Sequence, residues 1–564
     1  MSQPEIFRSQ APPPLQPRPI TIPAARETVL PNGLTLVVVE DSRLPLVSYR
    51  LAFRVGGAFD PPDIPGLTDL LAGLLPEGTT SRSSREIAEE VARIGASLSA
   101  GATSDYTIVA ASALSQFNDE ILALMAEIVL QPSFPENEVE LAKQNTKESL
   151  RQQRAQPSFL ASEMVSRVMF GKHPYSVVAP TIESIDRASR DEFVRFHQAK
   201  FVPNSAVFIV VGDVKYDHIV NRIESLFSTW ESGAELVTNF PAPPVRTQKT
   251  AYLVHRPGSA QSNIVIANSG IVRTSPDYFP MLLLHTVLGA NASSRLFMNL
   301  REEKGYTYGA YTNLDARRTA GTFRATAEVR TPVTGDSLKE FFYELGRIRN
   351  ELVSEKEISD AKSYLTGVFP IRLETQEGLT DQLVQLKMLN LPGDYLHHYR
   401  DRVQAVTVDQ IQSVAMKYVK PDEAAVIVVG DGAAVVDQIK PYVDDIEIYS
   451  TTGKRKSLEA PATTELAGSW SIAVETPLGQ SIPATLTMTR AGEGFVAKIL
   501  SDMGVADLGV VDVNDNSFHK STLLEMDGHS VEAEVVARFR GDQTEGSLKL
   551  QNSPSLPFTG SKDE

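Results

Sequence analysis

FIVVGD at Phe208–Asp213 and VIVVGD at Val426–Asp431 are two versions of one element. Each is a short, continuous apolar run of strand length that closes on Gly-Asp. Pro203-Asn204 precedes the first and Pro421-Asp422 the second, so both landmarks repeat at the same offset of 218 residues. Matching landmarks at one offset imply an internal duplication. Working outward, residues 1–25 are Pro- and Gln-rich and read as an extended lead-in. Two further breaks, Phe240–Arg246 (FPAPPVR) and Thr451–Thr464 with its basic cluster, divide the rest into blocks at 26–240, 247–450 and 465–562.

Within the first copy, 34–41 (LTLVVVED) and 46–55 (LVSYRLAFRV) read as paired strands. Ser83-x-x-Glu86 is a capping box, followed at helical spacing by Ile87, Val91, Ile94 and Leu98. Residues 104–114 return to strand character, Asn118 is a candidate helix cap, and Glu136–Gln153 predicts a long polar helix. Strands grouped before paired helices predict an α+β module with an antiparallel sheet flanked by helices. The third block differs. Trp470, Ile472 and Val474 alternate with polar or small residues, as do Val531, Ala533, Val535, Ala537 and Phe539, with turns at Asp527-Gly528 and Gly541-Asp542. That pattern predicts a small all-β barrel or sandwich of about 100 residues.

Composition narrows the function. Of the 564 residues, 42% are hydrophobic and 22% charged, which is ordinary for a globular chain. A net charge of -16 speaks against nucleic acid as a main partner and is compatible with peptides. The absence of cysteine excludes disulfides, thiolate metal sites and cysteine nucleophiles. No apolar signal region and no run of 18 apolar residues are visible, so no membrane span is expected. A cytoplasmic location is expected, or a periplasmic one if the start has been processed. No G-x-S-x-G elbow, P-loop or dinucleotide fingerprint occurs, and none of the nine histidines stands at zinc-ligand spacing from another.

Six stretches carry a resemblance. They are LPNGLTLVVVED (30–41), PGLTDLLAGLLPEGT (65–79), LSAGATSDYT (98–107), QPSFPENEVE (131–140), FGKHPYSVVAPTIESI (170–185) and NASSRLFMNLREEKGYTYGAY (291–311). In this order they resemble the inverted-motif zinc peptidases that include pitrilysin, insulin-degrading enzyme and mitochondrial processing peptidase. The C-terminal block is similar, on weaker motifs, to lipocalin-like β-domains appended to bacterial hydrolases. Active members of the peptidase family carry H-x-x-E-H on a helix. Two His at i and i+4 share one face and reach a single Zn²⁺, and the Glu serves as general base. Here the matching positions are Asp69, Ala72 and Gly73, and the third-ligand Glu falls at Ser149, with Glu148 turned about 100° away on the helix. The resemblance therefore implies a degenerate zinc site, no cofactor in this chain, and no catalysis by this chain alone.

The resemblance also assigns Arg301 and Tyr308 a role. At this spacing the family uses an Arg and a Tyr as donors to the substrate carbonyl and the oxyanion opposite the zinc. On residue chemistry alone Arg301 reads as a solvated helix residue beside Glu302 and Glu303, and Tyr308 as a half-buried strand aromatic; the surrounding family match favours the functional role. Loss of the zinc motif with retention of the pair implies a substrate-binding subunit of a heterodimer whose active partner carries H-x-x-E-H and the zinc. The edge strand around Ser99–Thr107 is then a candidate for strand addition by peptide substrates. The alternative is an inert scaffold of the same fold, forming a homodimer or larger assembly. An autonomous enzyme with an unfamiliar site has only scattered carboxylates in its favour.

Overall fold

The two Gly-Asp runs are central strands of two sheets with one shared order. The first sheet uses β1 (Arg26–Val29), β2 (Thr35–Glu40), β3 (Leu46–Phe53), β4 (Ser97–Ala102), β5 (Thr107–Leu114) and β6 (Ala206–Gly212). The second uses β7 (Thr250–His255), β8 (Gln261–Ser269), β9 (Thr307–Ala316), β10 (Gly321–Arg330), β11 (Ala425–Gly430), β12 (Asp445–Tyr449) and β13 (Arg455–Lys456). Their orders are β1-β2-β6-β3-β5-β4 and β13-β12-β7-β11-β8-β10-β9. The run β2-β6-β3-β5-β4 thus recurs as β7-β11-β8-β10-β9. The protein is seen as a computed structural model that describes residues 20–456, 466–476, 480–491, 494–501, 504–513, 516–526, 529–550 and 554–563. It divides into two units, Met1–Lys456 and Ser457–Glu564. The first 19 residues, most of the break at 451–464 and the Asp527-Gly528 turn lie outside the described residues.

Neither sheet is purely antiparallel, which corrects the expectation. β6 runs parallel to β2, β11 parallel to β7, and β12 parallel to β7. The reason is topological. β6 and β11 each return after a long helical excursion, and only such a crossover lets a strand enter beside its predecessor in the same direction.

Every residue of β6 and of β11 is buried, which explains why both sequences are continuously apolar rather than alternating. Both faces need cover, and the modules supply it to each other. The Pro157–Phe170 helix of the first module lies on β8 and β11 of the second. There Leu160, Met164 and Val165 join Val265, Ile427 and Val429 in one core cluster. The Gln376–Met388 helix of the second module lies on β3 and β6 of the first. Arg50, almost fully buried on β3, ties that exchange with 2.9 Å ion pairs to Glu377 and Asp381. On the other face of the first sheet, Leu67, Leu71, Ile87, Ile121, Met125 and Phe193 form the main core.

The Ser83–Glu86 capping box is present and starts the Ser84–Arg93 helix. That helix stops short of Leu98, because Gly95 adopts a left-handed φ of +61° and releases the chain into β4. Asn118 does not cap its helix. It is the first helical residue, and its side chain accepts from the Tyr49 hydroxyl.

The second unit is an eight-stranded antiparallel sheet. Its strands are β14 (Gly468–Glu475), β15 (Ser481–Ala491), β16 (Gly494–Ser501), β17 (Gly504–Val511), β18 (Ser517–Met526), β19 (His529–Arg540), β20 (Gln543–Leu550) and β21 (Leu556–Lys562). The order β17-β16-β15-β14-β21-β20-β19-β18 brings β17 and β18 side by side. There Lys520 Nζ and Thr522 Oγ1 donate to the Val510 and Asp507 carbonyls, and the sheet is a near-closed barrel. Its interior is filled by Trp470, Leu486, Met488, Phe518, Val535, Phe539 and Phe558. Gly541, at φ +60°, makes the tight β19–β20 turn. Among the described residues no helix is long and apolar enough to cross a membrane.

Candidate functional site

The Leu67–Leu74 helix begins at Gly66, whose φ of +93° lets the chain turn sharply into it. Asp60 holds that start. Its carboxylate accepts from the Gly66 N–H (2.7 Å), the Thr68 N–H (2.9 Å) and the Thr68 hydroxyl. Burial pushes the Asp60 carboxyl up to about 6, against the pull of these donors, and neighbouring Asp69 adds to the rise. Sequence reasoning passed over Asp60, since its role depends on a loop that folds back over six residues.

The three positions that match the zinc motif are brought together on this helix. Asp69 is solvent-accessible, Ala72 is fully buried, and Gly73 has open space where a Cβ would stand. Partial desolvation raises the Asp69 carboxyl, and the Ala102 N–H pulls the other way. The Glu136–Arg154 helix packs against the same helix and presents Ser149, which accepts from Gln153 Nε2 at 3.1 Å. Glu148 is exposed and pairs with Arg151 at 3.1 Å. Among the described residues no group of three or more His, Cys, Asp or Glu is placed to hold a metal ion. One carboxylate, a methyl group and a hydrogen do not fit Zn²⁺, which takes three or four protein ligands.

Three histidines make structural hydrogen bonds. His173 Nδ1 accepts the Tyr175 N–H at 3.1 Å, and its Nε2 meets the Thr319 hydroxyl at 3.1 Å. His197 holds the Val129 carbonyl at 2.8 Å and His285 the Thr312 hydroxyl at 2.7 Å.

Arg301 and Tyr308 are brought together by two departures from regular backbone. Met298–Glu303 is a π-turn, in which the Lys304 N–H reaches the Asn299 carbonyl five residues back. Asn299 anchors it from below, donating to Glu340 at 3.1 Å and to buried Glu344 at 3.0 Å. The second departure is a β-bulge. Ala310 faces Ala327 and Thr307 faces Val329, so Tyr308 and Gly309 share the place opposite Glu328. The Thr307 hydroxyl clamps the bulge, donating to the Gly309 carbonyl at 2.9 Å and accepting its N–H at 3.1 Å. Gly309 lets the Tyr311 ring lie close, since a Cβ would stand 2.6 Å from it. π-turns and bulges both re-aim side chains and recur at functional sites. The result is that Arg301 Nη1 donates to the Tyr308 carbonyl at 3.1 Å, with its guanidinium 5.0 Å from the Phe297 ring. Tyr308 is 86% exposed and its hydroxyl has no partner among the described residues.

The open strand is shorter than expected. β4 ends at Ala102 and is the edge of the first sheet, pairing only with β5. Residues 103–106 form a turn closed by the Thr103 hydroxyl on the Tyr106 carbonyl. Within that turn Asp105 is buried and accepts from the Tyr175 hydroxyl.

Known proteins give the context. Two family models match, Insulinase (Peptidase family M16) over residues 36–179 and Peptidase M16 inactive domain over 187–365. The uncharacterized zinc protease YmxG of Bacillus subtilis is 22% identical over 405 residues, covering 71% of this chain and 97% of that protein. The non-peptidase homolog YmxG of Helicobacter pylori is 24% identical over 386 residues, covering 67% and 87%. A crystal structure of a peptidase M16 inactive domain from Pseudomonas fluorescens has a TM-score of 0.67 at 24% identity, covering 72% of this chain and 98% of that one. The structure of a protease from Helicobacter pylori has a TM-score of 0.68 at 19% identity, covering 72% and 100%. At these identities the two structures establish the fold.

Proposed function

The chain belongs to the M16 family of peptidases, and from that premise we propose that it is the non-catalytic, substrate-binding subunit of a heterodimeric zinc peptidase. The partner in this reading is a second M16 chain that carries H-x-x-E-H and its zinc. One contrast carries the proposal. The zinc helix has lost every ligand but a single carboxylate, while Arg301 and Tyr308 keep accessible donors on a purpose-shaped backbone. A π-turn and a bulge that together present an exposed tyrosine support this reading, since such irregularities recur at functional sites. Arg301 and Tyr308 would donate to the substrate carbonyl as negative charge grows on it, and the open edge of β4 would take an extended peptide through backbone hydrogen bonds. In this reading the chain is organised as 26–240 with the degenerate zinc site, 247–450 with the Arg/Tyr pair, and 465–562 as a lipocalin-like barrel with a structural or docking role.

The test is purification from the native source with peptide-cleavage assays. We expect a second M16 chain carrying H-x-x-E-H to accompany this one, and cleavage only when both are present. Cleavage by the isolated chain, or co-purification without activity under any pairing, would defeat the proposal. The second outcome would favour an inert scaffold, a reading supported by the likeness to a protein called a non-peptidase homolog.

A further inference from the structure

Outside the site described above, the second module contains a cavity of about 530 Å³ between the start of the Tyr278–Gly289 helix and the Tyr395–Ala405 helix. That size lies within the ~300–1,000 Å³ range of small-ligand sites. Two half-buried arginines line it, Arg273 and Arg402. Arg273 lies 3.6 Å over the Tyr278 ring, and its Nη2 donates to the Tyr395 hydroxyl at 2.7 Å. Arg402 lies 5.6 Å from the Tyr395 ring and 5.9 Å from that of Phe279. Stacking fixes a guanidinium in place without neutralising it and without using up its N–H edges.

Some half-buried arginines of the unit, such as Arg246 and Arg256, donate only to carbonyls and hydroxyls. Several others have carboxylate partners: Arg50 has Glu377 and Asp381, Arg295 has Glu357, Arg317 has Asp315 and Arg154 has Glu163. Among the described residues neither Arg273 nor Arg402 has one. The nearby carboxylates are engaged elsewhere. Asp277 accepts from Lys417 at 2.7 Å and from the Tyr418 hydroxyl at 2.6 Å, and Asp394 faces His398 at 3.5 Å. Partly buried charges without a counter-ion are unfavourable until an anion joins them. Part of the remaining wall is apolar, with Pro280, Leu391, Pro392 and Val406, and Ser275, Asn390 and Gln410 add polar groups.

We propose that this cavity binds a carboxylate carried on an apolar or aromatic body, of the kind a peptide C-terminus presents. Two fixed forks suit a planar carboxylate, and the proline- and leucine-lined wall suits the body. Inorganic phosphate would leave that wall uncovered. The site is independent of the Arg301/Tyr308 proposal, since neither residue lines it.

The test is calorimetric titration of the full-length chain with four probes: N-acetyl-phenylalanyl-phenylalanine as free acid, its C-terminal amide, 3-phenylpropionate and inorganic phosphate. The free acid should bind at least about tenfold tighter than the amide, and Arg273→Gln or Arg402→Gln should each weaken it about tenfold or more. A peptide acid that outbinds phenylpropionate identifies peptide ends as the source, and equal binding identifies small acids. Equal affinity for acid and amide, no binding of either acid, or tighter binding of phosphate would overturn the proposal. The acid–amide comparison uses the wild-type protein, so it stands even if a variant misfolds.

Discussion

Arg295 offers a quantitative handle on the segment that carries Arg301. It is buried just before the π-turn, and its guanidinium forks onto Glu357 at 2.6 and 3.0 Å. Glu357 also caps its own helix, accepting the Ser354 N–H at 2.9 Å and the Ser354 hydroxyl at 2.8 Å. Burial alone would push the Glu357 carboxyl up, but Arg295 and Ser354 outweigh it and hold it at about 2 against an ordinary 4.5. At about 1.4 kcal/mol per tenfold in acidity, that is about 3 kcal/mol of stability. The Ser354 donors survive removal of the arginine, so Arg295→Met should cost about 2 kcal/mol at pH 7. The sign of the pH dependence follows from a folded value below the unfolded one. The stabilisation is complete above about 4.5 and fades as pH falls towards 2. Urea unfolding can be read from Trp230 in a Trp470→Phe background, because these are the two tryptophans. The wild-type advantage should be about 2 kcal/mol at pH 7 and under about 1 kcal/mol near pH 2.5. An equal loss at both pH values would show that packing, not charge, holds this segment, and the reasoning would fail.

Other consequences can be checked with standard assays. His197 and His285 are both held neutral by burial, at about 4 against 6.5, so the unfolded state takes up protons that the native state refuses. Stability of the first unit should therefore fall by several kcal/mol, order of magnitude, between pH 6.5 and 4, and His285→Leu should flatten the urea-midpoint profile. Arg50→Met should destabilise the exchanged-helix contact by about 2–3 kcal/mol and speed proteolysis around the Gln376–Met388 helix. Phe539→Ala, which removes a buried ring 4.8 Å from Trp470, should cost about 3–4 kcal/mol in the barrel and red-shift Trp470 emission.

Much of the architecture can be read locally, and the failures share a cause. The duplicated FIVVGD and VIVVGD runs and the Ser83–Glu86 box are short-range signals, and each corresponds to an element of the fold. Leu98 continues the helical spacing past Arg93, but the left-handed Gly95 between them outweighs it. Asn118 looks like a cap until Tyr49, far away in sequence, takes its side chain. The parallel pairs β2–β6 and β7–β11 depend on partners more than 150 residues apart, and the exchanged helices on partners in the other module, which no local pattern encodes. The site shows the same division. The proposed degenerate zinc positions, Asp69, Ala72, Gly73 and Ser149, rest on residue type alone. The bulge that re-aims Tyr308 is set by the register of β10, with only Thr307 and Gly309 as a hint in the sequence. The Arg273/Arg402 cavity joins residues 273–280 to residues 390–410, and no local pattern marks it.

The decisive measurement is steady-state peptide hydrolysis by this chain mixed with the H-x-x-E-H chain of its native source. Wild type should be compared with Arg301→Gln and Tyr308→Phe at matched levels of assembly. Loss of one donor to developing negative charge should lower kcat by about 100-fold, with little change in KM. Unchanged turnover in both variants, with assembly intact, would contradict the idea that this chain supplies half of a shared active site.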